Sequence, residues 1–175
     1  MLLRIANGDP LELGPRVDAH LAEEGLMLTP RRVQLRALAA VAYAACAQGA
    51  PLDLGPWLRM RIRESATALI DEDREAERRN APLAPDSAHF LPMIAAFGVE
   101  PGLARRTSVA FHSLPVPRRL LLRGIVQEGR SLAEMTQELR RPVEETRAEL
   151  RAAVESLERA IGARLSERLG GEDRG

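Results

Sequence analysis

The chain contains no lysine, a single cysteine and only five Phe, Tyr and Trp residues in 175 positions. It also has no apolar run long enough for a helix to cross a bilayer. Each shortage excludes something. The lone Cys46 cannot form an intramolecular disulfide, and its apolar setting, AVAYAACA, predicts a buried thiol. Scarce aromatic and β-branched residues disfavour strands. Without lysine, every basic side chain is arginine, and the 25 basic and 25 acidic residues give a formal net charge of zero. That balance argues against a whole-surface polyanion binder but permits a local basic face. The opening MLLRIANGDP is too short in apolar residues for a signal peptide. A cytoplasmic protein with no membrane association is expected.

What is abundant points to helix. Hydrophobic residues make up 45% and charged residues 29%, with Ala, Leu, Arg and Glu dominant. This is the composition of a globular all-α protein. The length allows one ordinary domain or two small ones. The pattern predicts two small helical units, at about 15–79 and 107–167, joined by a Pro-rich linker over 80–106. In the first unit a short helix runs from Pro15 to Glu24 after a loose lead-in. A second starts at Pro30, with Thr29 as N-cap and Gly49 as its stop. A third begins at Pro56, and Leu58, Ile62, Ala66 and Leu69 form its apolar stripe. Tyr43 and Trp57 are expected in the core. Beyond Ile70 the third helix is almost entirely charged and reads as solvated or frayed. The tail Gly170–Gly175 is expected to be mobile.

The C-terminal block carries the sharpest signals. Pro115 and Pro117 open a helix that ends by Gly129. Ser131-Leu132-Ala133-Glu134 is a capping box. Leu132, Met135 and Leu139 give the following helix an apolar face. A short break at Arg140-Arg141-Pro142 leads to another helix, striped by Leu150, Val154, Leu157 and Ile161. These helices predict a tri-helical helix-turn-helix, with a simple bundle as the alternative.

From Leu114 to Leu157 the sequence resembles region 4 of sigma-70-type transcription factors, especially the extracytoplasmic-function group. The matching residues are Leu114-Pro115, Arg118, Gly129, Ser131, Glu134, Leu139, Pro142-Val143, Leu150, Ala153 and Leu157. The N-terminal unit resembles region 2 of that group through Val33-Gln34, Trp57-Leu58 and Arg63. The resemblance implies that Arg31, Arg32, Val33 and Gln34 face core RNA polymerase. It implies that Arg140, Arg141, Arg147 and Arg151 approach promoter DNA. A regulatory protein partner is left open.

Several residues depart from the family pattern. Arg31-Arg32 stand where acidic residues usually precede the Val-Gln pair, and Leu35 replaces the usual Glu. Glu64 replaces an Asn, and Arg140 replaces the Gly of the turn. Between Pro142 and Ala160 there are five Glu (144, 145, 149, 155, 158) and three Arg (147, 151, 159), a net of −2. Two readings of the last helix therefore stay open. It is a weak or assisted DNA reader, or a solvated or protein-binding face on a scaffold that has lost promoter recognition. His20, His89 and His112 are scattered and show no metal-ligand spacing. No phosphate loop or nucleophile motif is present. Neither a cofactor nor an enzymatic activity is expected.

Overall fold

The computed structural model describes residues 9, 11–49, 51–83, 87–162 and 165. Among them the chain is all-helical. The α-helices are α1 (Leu13–Glu23), α2 (Pro30–Gln48), α3 (Leu54–Arg78) and α4 (Leu91–Phe97), then α5 (Ala104–His112), α6 (Val116–Val126), α7 (Leu132–Leu139) and α8 (Val143–Ile161). Short 3-10 turns at Ser87–Phe90 and Pro101–Leu103 flank α4. No helix among the described residues is long and apolar enough to cross a membrane. The tail Gly170–Gly175 and residues 84–86 of NAPLAPDS lie outside the described residues.

Helices α1, α2 and α3 pack pairwise around one apolar cluster. Leu13, Val17 and Leu21 come from α1, Val33, Ala37 and Val41 from α2, and Leu58, Ile62, Ala66 and Leu69 from α3. The expected stripe of α3 is therefore the buried one. Asp9 gives the lead-in a structural role: its carboxylate accepts from the Leu13 and Gly14 amides at 2.7 and 2.5 Å. Those are orphan donors of the first turn of α1, satisfied from outside the helix. Thr29 occupies the N-cap position of α2 without a capping bond. Its hydroxyl instead donates to the His89 carbonyl at 3.1 Å.

A second cluster joins Met93 and Phe97 of α4, Phe111 of α5, Leu122 of α6, and Ala153, Leu157 and Ile161 of α8. The segment 80–106, expected as a linker, thus sends Met93, Phe97 and Val99 into this core. Burying three such side chains stabilises the fold by several kcal/mol, at about 1.5–3 kcal/mol each. Met27, from the α1–α2 connection, also enters the second cluster. Gly25, beside it, has φ +61°, and a Cβ there would lie 2.7 Å from the Leu120 backbone nitrogen of α6. Only glycine permits both that backbone conformation and that approach.

Three expectations are corrected. Cys46 is exposed rather than buried, and Tyr43 is 79% exposed rather than in the core. Both lie on the outer face of α2, because α1 and α3 occupy its inner face only. Trp57 is partly buried against the first cluster, with the Arg61 guanidinium 5.8 Å from its ring centroid. The charged half of α3 is neither frayed nor wholly solvated. It stays helical to Arg78 and packs on α5, where Asp73 is buried and Glu77 pairs with Arg106 at 3.0 Å.

Candidate nucleic-acid interface

Ser131 starts α7 with the full capping box. Its hydroxyl accepts from the Glu134 amide at 3.2 Å, and Glu134 accepts from the Ser131 amide at 2.7 Å. These bonds hold the exposed Glu134 carboxyl below its ordinary pKa, the Ser131 backbone amide contributing most. Gly124 lets α7 lie close to α6: a Cβ there would overlap the Met135 side chain. Met135 is the one buried residue of α7. The helix ends at Arg140, whose φ of 51° places it in the left-handed region that favours glycine. The connection to α8 is three residues long, Arg140 to Pro142.

Helix α8 buries Thr146, Ala153, Val154, Leu157 and Ile161. Its opposite face carries Val143, Glu144, Ala148, Arg151 and Glu155 into solvent. Glu144 and Glu145 sit in the first turn, where carboxylates favour the helix dipole. The Arg118 Nε on α6 donates to Glu149 Oε2 at 2.6 Å. That bond fixes α6 to α8 and holds the Glu149 carboxyl below its ordinary range.

The four arginines singled out by sequence are distributed as follows. Arg140, Arg141 and Arg151 are exposed and form no ion pair among the described residues. Arg147 is half-buried and pairs with Glu144 at 2.8 Å. Arg140 and Arg141 flank the N-terminal end of α8, and Arg147 and Arg151 follow one and two turns along it. Three guanidinium groups without a carboxylate in ion-pair contact therefore surround a surface that also carries Glu145, and the charge of Arg141 is felt by Glu149.

The second set behaves differently. Val33 is fully buried in the first cluster, so it offers no surface to a partner. Gln34 donates to Asp9 at 3.4 Å and accepts from Arg31 at 3.1 Å. Arg32 lies 3.9 Å from Glu72 of α3, which also binds Arg36. Arg31 alone of the four is both exposed and free of a carboxylate partner among the described residues. The sequence pattern could not show this, because Asp9 and Glu72 reach α2 across 25 and 36 or more residues.

A buried polar cluster escaped the sequence reading. His112 ends α5 and is 3% exposed. Its Nδ1 bonds the Ser108 carbonyl at 2.8 Å, and its Nε2 accepts from the Met27 amide at 3.3 Å. An Nε2 that accepts from an amide is unprotonated, so the imidazole is neutral with its proton on Nδ1. Burial pushes its pKa down to about 4. Ser108 Oγ lies 3.5 Å from Asp73 and 3.2 Å from His112 Nδ1. Asp73 also faces His89 Nε2 at 3.6 Å. These residue types invite comparison with a nucleophile triad, but the connections differ. In a triad the carboxylate orients the imidazole and the far nitrogen meets the hydroxyl; here the far nitrogen is occupied by backbone. The cluster joins α3, α5 and the α1–α2 connection. Among the described residues, no three His, Cys, Asp or Glu side chains are placed to hold a metal ion.

No family model, no curated protein and no solved structure matches the chain.

Proposed function

We propose that this chain is a sigma-factor-like regulator of transcription initiation. In this reading the unit at about 28–79 docks on core RNA polymerase, and the block at 113–161 presents α7, the three-residue turn and α8 to promoter DNA as a helix-turn-helix. One observation carries the reading: Arg140, Arg141 and Arg151 lie unpaired around the exposed N-terminal half of α8. A left-handed arginine at the turn supports it. A non-glycine residue there costs about 1–2 kcal/mol, and a guanidinium aimed at phosphate is a functional reason to retain it.

The magnitude expected is modest. Each phosphate neutralised contributes about −0.9 to the slope of log K against log salt. Three to four contacts give a fall of roughly 40- to 150-fold between 50 and 200 mM salt. The acidic side chains on the same helix lower the absolute affinity, so polymerase supplies the rest of the binding. Pull-down with core polymerase and run-off transcription test the reading. Association and promoter-dependent transcripts are expected; the absence of both refutes it.

A second reading has its own observation. Val33 is buried, Gln34 and Arg32 are engaged within the chain, and Arg147 is paired with Glu144. These favour a protein-interaction module on the same scaffold. DNA affinity measured against salt separates the two. A steep slope flattened by Arg147→Ala with Arg151→Ala supports promoter contact; no binding at low salt supports the interaction module.

A further inference from the structure

We propose that the recess between α1, α3 and α6 is a binding site for a small oxyanion of the phosphate class, held by Arg63, Arg74 and Arg119. The recess has a volume of about 450 Å³. It lies on helices that take no part in the α7–α8 turn, so the proposal is independent of the DNA reading.

The geometry is unusual for like charges. Arg74 Nη2 and Arg119 Nη1 both donate to the His112 carbonyl, at 3.4 and 3.3 Å. Two guanidinium groups sharing one neutral acceptor lie close together. Arg119 is further pinned by donation from its Nε to the Glu24 carbonyl at 3.1 Å, and its side chain is only 12% exposed. The single carboxylate lining the recess, Glu24, stands 3.8 Å from Arg119, beyond hydrogen-bond reach. Asp71 holds the other terminal nitrogen of Arg74 from outside the recess. Burial disfavours the charge on Arg119; Glu24 offsets part of this, and Arg74 adds a smaller opposing effect.

Arg63 completes the set. It lies on the same face of α3 as Thr67 and Arg74, at i, i+4 and i+11, and it is exposed with no ion pair among the described residues. Three arginines against Glu24 and the Asp71 that pairs with Arg74 leave a net charge of +1 around the recess. A phosphate group carries about −1.5 to −2 at neutral pH and accepts several charge-assisted hydrogen bonds. The planar fork of arginine suits those oxygens better than any other side chain. Arg119 and Gly25 sit where the first three helices meet α6, so an occupied site ties the two apolar clusters together.

The test is isothermal titration of the full chain with inorganic phosphate at constant ionic strength, together with thermal unfolding in phosphate against chloride. Saturable heat and a raised unfolding temperature are expected. Arg63→Gln removes an exposed, unpaired side chain and leaves the fold intact, yet weakens phosphate binding by about tenfold or more. Arg119→Gln abolishes binding, and Arg159→Gln, in the last turn of α8, leaves it unchanged. A parallel titration with adenosine monophosphate separates the sources: tighter binding than phosphate supports an organic phosphomonoester, and equal binding supports the free anion. No saturable phosphate binding, or binding unaltered by Arg63→Gln, overturns the proposal.

Discussion

Acidification should destabilise this protein through His112 before most carboxylates are protonated. The unfolded imidazole titrates near 6.5, whereas burial pushes the folded one down to about 4. Between those values the unfolded chain holds a proton that the native chain does not. Stability therefore rises with pH across that window and falls as pH is lowered from 6.5 towards 4. Each pH unit of displacement corresponds to about 1.4 kcal/mol, so the total is about 3 kcal/mol. For a chain of this size that is roughly 6–12 °C in unfolding temperature. Asp73 opposes the shift, while Arg119 and Arg74 reinforce it.

Other groups titrate in acid as well, so the decisive comparison is with His112→Gln. Glutamine cannot titrate and can still offer an oxygen to the Met27 amide. Near pH 7.5 the variant should be less stable by about 1–3 kcal/mol, through lost buried hydrogen bonding. Towards pH 4 that disadvantage should shrink by about 3 kcal/mol and vanish or reverse, because only the wild type must lose its neutral imidazole. Urea unfolding of both proteins at half-unit steps of pH measures this. A stability difference that is constant from pH 7.5 to 4 would refute the reasoning. So would an imidazole that titrates near 6.5 by proton NMR in the folded protein.

Further outcomes follow from single contacts. Gly25→Ala should destabilise by more than about 2 kcal/mol, since it combines the left-handed strain of about 1–2 kcal/mol with a backbone overlap at Leu120; chemical denaturation reads this. Arg140→Gly should stabilise the fold by about 1 kcal/mol while weakening duplex binding and reducing its salt slope by about one unit, as seen by fluorescence anisotropy. Ser131→Ala should cost about 1 kcal/mol in thermal unfolding, because it removes one half of the capping box. Tyr43→Ala, on the open face of α2, should change stability by no more than about 0.5 kcal/mol.

Local chemistry was legible in the chain itself. The all-helical class follows from composition. The bounds of α1, α2, α7 and α8 follow from Gly25, Pro30, Gly49, the Ser131 capping box and Pro142, all within a residue or two. The stripes of α3 and α8 were readable because burial of one helical face imposes a 3.6-residue period on the sequence. The exposed candidate Arg151 was readable for the same reason, since it lies off the apolar stripe of α8, and Arg140 and Arg141 were readable from the short break before Pro142.

Everything that depends on two distant segments meeting was decided by the tertiary structure alone. Val33 belongs to the core because α1 and α3 both close over it, and Gln34 is engaged because Asp9 lies beside it. Cys46 and Tyr43 are exposed because no helix covers the outer face of α2, although their apolar neighbours gave no hint of which side would be left open. Asp73, and the pair Ser108 and His112, are unremarkable letters in two separate stretches. They become one buried cluster only when α3, α5 and the Gly25 corner come together. Arg63, Arg74 and Arg119 converge in the same way. Helix formation is written in neighbours three and four residues apart, whereas electrostatic partners are set by packing.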